Sequence, residues 1–158
     1  MIYEELMTHH EYLNIQEMSL SEVDGLKGLN FNGNIAIEET LLNSEKNCVL
    51  AEELGHYYTT SGNILDLSNT SNRKQELRAR AWAYDRLVGL SGIISCFEAG
   101  CRNLYEMSEH LEVTEEFLKE TIKRYRQKYG AFATTKNYII YFEPVLGVMK
   151  ITDQSHHL

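Results

Sequence analysis

Glu52, Glu53 and His56 stand in the segment Cys48-Val-Leu-Ala-Glu-Glu-Leu-Gly-His-Tyr57, at the spacing of the metal-binding pattern H-E-x-x-H with its first histidine exchanged for glutamate. On a helix, positions four apart lie on one face, so the Glu52 carboxylate and the His56 imidazole can reach one cation. Glu53 is then placed to take a proton from a water at that cation, the general-base half of metal-assisted hydrolysis. Such a site needs a third ligand from another element. Glu76, in Gln75-Glu-Leu-Arg-Ala-Arg-Ala-Trp82, is best placed, because Ala79 and Ala83 share its helix face and are small enough for two helices to pack closely. Asp66 and Asp85 are fallback ligands. A helix with Glu52 and Glu53 in water and His56 half-buried would carry the same residues, so the pattern by itself leaves both readings open. Tyr57 and Tyr58 follow the last helix ligand, and either can pack or donate a hydrogen bond to an oxyanion.

The elements that must hold these side chains are legible in outline. Tyr3, Leu6, Met7, His10 and Leu13 recur at helical spacing over residues 3 to 14. Leu26-Lys-Gly-Leu-Asn-Phe31 and Asn34-Ile-Ala-Ile-Glu38 flank Asn32-Gly33, the pair that best tolerates the positive φ of a two-residue hairpin turn. The motif helix runs from about Glu45 to Tyr58, with Asn43 or Ser44 as its cap, and Gly62-Asn63 ends it. A polar stretch over residues 68 to 72 leads into a helix from about Arg73 to Val88, with Leu77, Ala81, Tyr84, Leu87 and Val88 on its apolar face. Three further helices are expected over residues 91–100, 103–110 and 114–129, the last capped by Thr114 and started by Glu115 and Glu116. Tyr138-Ile-Ile-Tyr-Phe142 reads as a strand, after which Pro144 and Gly147 loosen the chain. The order α-β-β-α-α-α-α-α-β describes a mainly helical α+β domain with a small antiparallel sheet before the motif helix. Residues 1–130 form the expected functional domain, with 91–130 as its helical C-terminal part, and 131–158 a terminal strand and flexible tail.

Composition narrows the partners. The chain has 158 residues, 43% of them hydrophobic, enough for one compact core. Its net charge of −8 opposes attraction to phosphate backbones and to anionic membranes. Residues 103–129 have the look of a helix-turn-helix, but the second helix opens Thr114-Glu-Glu-Phe, which repels phosphate. Lys119, Lys123, Arg124, Arg126 and Lys128 come too late in that helix for base reading, so no direct nucleic-acid binding is expected. Cys48, Cys96 and Cys101 make no metal or disulfide framework. Cys96 and Cys101 would fall near opposite faces of one helix. His9 and His10 point different ways, His110 sits at a helix end, and His156 and His157 lie in a polar tail. The acidic start is unlike a signal peptide, and no apolar run approaches the roughly 20 residues that span a bilayer. A cytoplasmic protein with reduced thiols and no membrane contact is expected.

Taken in order, these blocks resemble the ImmA/IrrE family of zinc metallo-endopeptidases. Residues 48–59 look like that family's active-site helix, and the hairpin with Gly28 and Asn34-Ile-Ala-Ile37 is similar to its upstream strands. Glu76-x-x-Ala79-x-x-x-Ala83 resembles its third-ligand helix, with Trp82 where an aromatic is usual, and Leu111 to Leu118 its closing segment. The resemblance spans roughly residues 1 to 130 and implies a zincin-like fold. It implies that His56 and Glu76 bind zinc and that Glu53 activates water. Glu52 falls where the family has its first histidine ligand. A carboxylate can ligate zinc, but a Glu/His/Glu set leaves the ion less electrophilic and favours harder ions such as Mn²⁺ or Mg²⁺. Slow or conditional proteolysis is the expectation. Family members are commonly encoded by phages and mobile elements beside a helix-turn-helix repressor, which they cleave to derepress lytic or excision genes. Such a repressor is therefore the expected partner and substrate. The competing expectation is a non-catalytic anti-repressor or protein-binding module with a degenerate metal site.

Overall fold

The computed structural model describes residues 2–20, 25–59 and 70–152. They fall into two compact units, one of residues 1–87 with 112–114 and one of 88–111 with 115–158. Six helices and six strands occur among the described residues, a mainly helical α+β fold.

The first unit holds α1 (Ile2–His9), β1 (Asn14–Met18), β2 (Gly28–Phe31), β3 (Asn34–Glu38), α2 (Asn43–Thr59) and α3 (Thr70–Leu87). The hairpin forms as its turn residues dictate: Asn32 and Gly33 take φ of 51° and 82°, and Phe31 pairs with Asn34. The sheet is ordered β1-β3-β2, with β3 in the middle, β1 parallel to it and β2 antiparallel at the edge. The sheet is therefore mixed rather than purely antiparallel. The opening helix stops at His9, short of the residue 14 that periodicity suggested, and after a turn β1 begins at Asn14. All of its residues but Ile15 are exposed, so no apolar alternation marks it, and its pairing to β3 makes it a strand.

β2 crosses one face of α2. A Cβ on Gly28 would stand 2.5 Å from Val49 Cγ1 and 3.1 Å from Glu53 Cγ, and one on Gly33 would stand 3.4 Å from Tyr57 Cε2. Val49, Glu53 and Tyr57 are spaced i, i+4, i+8, so the hairpin runs along a single helical stripe. The opposite stripe of α2 buries Leu50, Ala51 and Leu54 with Leu6, Ile35, Ile37, Ala79 and Ala83. Asn47, also buried, donates its Nδ2–H to the Glu112 carbonyl at 2.7 Å and so ties residues 112–114 into this unit.

α2 and α3 approach each other at Gly55. A Cβ there would overlap the Ala79 carbonyl oxygen and stand 3.0 and 3.1 Å from the Ala79 carbonyl carbon and Cα. The small residues expected to permit close packing on α3 are thus matched by a glycine on α2.

The second unit holds α4 (Gly89–Glu98), α5 (Leu104–Leu111), α6 (Glu115–Tyr129), β4 (Phe132–Thr134), β5 (Tyr138–Tyr141) and β6 (Gly147–Lys150). Its core gathers Ile93, Met107, Leu111, Phe117, Leu118, Ile122, Tyr125, Ile140 and Phe142. The stretch after Gly130 is an antiparallel meander β4-β5-β6, not a lone strand with a loosened tail. β4 has three residues and β6 exposes Met149 and Lys150, so neither carries a period of its own. His156 and His157 lie outside the described residues.

Gly55→Ala tests the helix contact. Alanine is the better helix former by about 1 kcal/mol, whereas overpacking against fixed backbone costs roughly 3 kcal/mol. The second effect wins, and urea unfolding should show a net loss of about 2 kcal/mol. A gain in stability would mean that the helices are free to separate there.

Candidate active site

The Gly55–Ala79 contact sets the positions of the residues beside it. His56 follows Gly55 on α2, and Glu76 lies one turn before Ala79 on α3. Across this narrow gap His56 Nε2 donates to Glu76 Oε2 at 3.0 Å. Glu76 Oε1 meets Arg80 Nε at 3.4 Å, an i,i+4 pair on the same helix. Glu76 is therefore gripped on both oxygens, one toward α2 and one along α3.

The charges follow from this geometry. Burial pulls the His56 imidazole down, but its bond to Glu76 and the charges of Glu76, Glu53 and Glu52 outweigh that and leave it raised. Glu76 is lowered, first by the hydrogen bond from His56, with Arg80 assisting against burial. Glu53 behaves differently. Burial pushes it up to about 7, opposed by His56 and reinforced by the nearby negative charges of Glu52 and Glu76. The desolvation is visible in the packing: Glu53 Oε1 lies 3.2 Å from where a Gly28 Cβ would be, so the carboxylate sits against β2 in room that only glycine leaves. A carboxyl held near neutrality next to a cation-seeking pair is placed to act as base or acid at physiological pH.

Of the residues singled out in the sequence, the structure brings together His56, Glu76 and Glu53. Among the described residues no three His, Cys, Asp or Glu side chains are gathered to hold a metal ion, so Glu52 does not complete a three-donor set with His56 and Glu76. Spacing on a helix puts Glu52 and His56 on one face without forcing their side chains to converge. The imidazole and the Glu76 carboxylate instead satisfy each other. Two donors each about 2.1 Å from a tetrahedral ion would stand roughly 3.4 Å apart, so the observed pair lies within a few tenths of an ångström of a chelating span. The donor chemistry fits a cation, since the charges of three carboxylates act on one imidazole and those of Glu52 and Glu76 help to raise Glu53. His56 Nδ1 is buried without a hydrogen-bond partner among the described residues, as are Asn30 Oδ1 and Gln75 Oε1.

The remaining candidates resolve individually. Asp66 lies outside the described residues. Asp85 is exposed and roughly 2.5 turns along α3 from Glu76, which places it on the far side of that helix. Tyr58 stacks on Trp82 with centroids 5.3 Å apart and its hydroxyl bonds that of Tyr12, so it belongs to an aromatic cluster. Tyr57 packs edge-on to Tyr58 and against the Gly33 turn.

Three contributors escaped the sequence reading. Arg80 was visible as the i+4 partner of Glu76. Gly55 was visible as a glycine inside a strong helix, which usually has a packing reason. Asn30 shares the helix-facing side of β2 with Gly28, and asparagine is uncommon in strand interiors.

A family model described as Peptidase_M78, IrrE N-terminal-like domain, matches residues 5–123. No curated protein and no solved structure matches the chain.

The raised carboxyl makes a prediction for metal-stripped protein. Glu53 has a folded value of about 7 against an ordinary 4.5, so the fold binds this proton more tightly than the unfolded chain does. Stability then falls as pH rises from about 4.5 through 7. Glu53→Gln is neutral at every pH and escapes this loss. In urea unfolding with chelator the variant should exceed the parent by roughly 2–3 kcal/mol at pH 8, narrowing to about 1 kcal/mol or less at pH 5. An equal difference at both pH values would show that Glu53 titrates normally.

Proposed function

The chain belongs to the Peptidase_M78 family, the IrrE N-terminal-like domain, and on that premise we propose that it is a metal-dependent endopeptidase. The observation that carries this is the His56–Glu76 pair, 3.0 Å apart across two helices, with Glu53 beside it. His56 Nε2 and Glu76 Oε2 would hold the ion, and Glu52, on the same helix face, would join them as third ligand by a rotation of its side chain; zinc suits the nitrogen donor, and Mn²⁺ is an alternative for so carboxylate-rich a set. When bound, the ion polarises the scissile carbonyl and acidifies a water. Glu53 would take a proton from the attacking water and pass it to the leaving amine, a two-way role that its value near 7 supports. Arg80 keeps Glu76 from turning away. Gly28 leaves the room that the Glu53 carboxylate occupies.

The substrate we propose is a helix-turn-helix repressor of a phage or mobile element, cleaved in the cytoplasm to release lytic or excision genes. The support is the resemblance of the ordered blocks to the ImmA/IrrE peptidases. The charge of −8 is in keeping with a protein partner rather than DNA. Among the described residues no helix is long and apolar enough to cross a membrane. One observation favours a second reading, a non-catalytic anti-repressor acting by contact: glutamate stands at position 52 where the family has its first histidine ligand.

Metal analysis and repressor cleavage separate the two. The parent and Glu53→Gln should each carry one equivalent of zinc or manganese after loading, while His56→Ala and Glu76→Ala lose it. Cleavage by Glu53→Gln should fall by about 10²–10⁴-fold. A parent that takes up no stoichiometric metal yet still blocks repressor function would establish the contact mechanism, and undiminished cleavage by Glu53→Gln would remove it as the base.

A further inference from the structure

α4 is capped by Ala99 and followed by Gly100, whose φ of +80° turns the chain back on itself. Gly100 N–H donates to the Phe97 carbonyl at 3.0 Å, and Cys101 N–H donates to the Cys96 carbonyl at 3.0 Å. This paired reversal lays the residue after the glycine over the last full turn of the helix, where two apolar side chains normally meet. Here both are cysteines. A continuous helix would send residues 96 and 101 to nearly opposite faces; the left-handed step at Gly100 folds Cys101 back onto the turn that carries Cys96. Neither is in a disulfide, and they differ in access: Cys96 is 1% exposed, Cys101 part-exposed. Both line a cavity of about 440 Å³ together with Phe97, Leu104, Met107 and Val148. The other polar atoms at the sulfurs are α5 carbonyls, Met107 O at 3.9 Å from Cys96 Sγ and Glu106 O at 3.6 Å from Cys101 Sγ.

We propose that Cys96 and Cys101 form a redox-active dithiol site whose substrate is a low-molecular-weight disulfide reaching the sulfurs through this cavity. The Cys101 thiolate attacks one sulfur of the reagent, whose S–S bond breaks. A mixed disulfide forms on Cys101, and one thiol departs with the proton Cys101 gave up. Cys96 Sγ then attacks Cys101 Sγ, the bond to the reagent breaks, and a second thiol leaves with the proton from Cys96. The protein loses two electrons and two protons, and the reagent is reduced to two thiols. Burial lifts the Cys96 thiol to about 12 and leaves Cys101 the more accessible sulfur, so Cys101 attacks the reagent first and Cys96 resolves the mixed disulfide. Cys48 is buried on α2 and raised likewise by burial, and it has no second cysteine beside it. It serves as an internal control.

The test is incubation of the full chain with oxidised glutathione near pH 8, acid quenching, and intact-mass and peptide analysis over time. The parent and Cys48→Ser should pass through a glutathione adduct on Cys101 to a Cys96–Cys101 disulfide that dithiothreitol reverses. Cys96→Ala should stop at the adduct, and Cys101→Ser, altered at the more exposed position, should give neither product. The proposal is overturned if the adduct on Cys101 is the parent's end product, if the disulfide joins two chains, or if protein still folded by circular dichroism does not react.

Discussion

The contact between Gly55 and the Ala79 backbone is the constraint on which the site rests. Helices with ordinary side chains at their crossing stand 8–10 Å apart, and a histidine and a glutamate on facing surfaces then meet only by chance of rotamer. Removing every atom beyond Cα at position 55 lets α3 settle onto α2 along its alanine face, and His56 and Glu76 are the adjacent residues on each helix. The geometry of the polar pair is thus set by apolar packing. Close-packed backbone resists displacement far better than two surface side chains resist rotation.

Within that frame the polar groups are balanced unevenly. His56 and Glu76 each shift in the direction that favours an ion pair, and Arg80 reinforces it. Glu53 receives no such relief. It is buried against Gly28, with like charges at Glu52 and Glu76. A fold that keeps a carboxyl this way gives up stability near neutral pH for a group poised to exchange a proton, which is where functional sites commonly depart from the rules that govern the rest of a protein.

What the sequence reveals of this arrangement follows how local each signal is. The motif helix, the Glu76 helix and the Asn32–Gly33 hairpin are written in residues that act on their own neighbours, and all three are present. β1, β4 and β6 are not so written. Their residues are short runs or largely exposed, and only pairing with a distant strand makes them strands. Helical projection also misleads where one residue leaves the helix, as at Gly100, which reverses the relation of Cys96 to Cys101. For Glu52 the helix fixes the face but not the side-chain direction. Gly55 and Arg80, by contrast, were readable from composition and i,i+4 spacing, since each acts within a turn of a residue already singled out.

The position of β2 has a consequence of a different kind. It is one of the two outer strands of its sheet, it runs along the α2 stripe that carries Glu53, and Leu29 and Phe31 on its other face are exposed. The outer edge of a strand offers alternating N–H and C=O groups, which recognise any extended backbone with little regard to its side chains. Whatever polypeptide adds itself there must first be uncoiled over several residues. Selection at such an edge therefore falls on which stretch of a partner is already unravelled, a matter of the partner's folding equilibrium more than of its sequence.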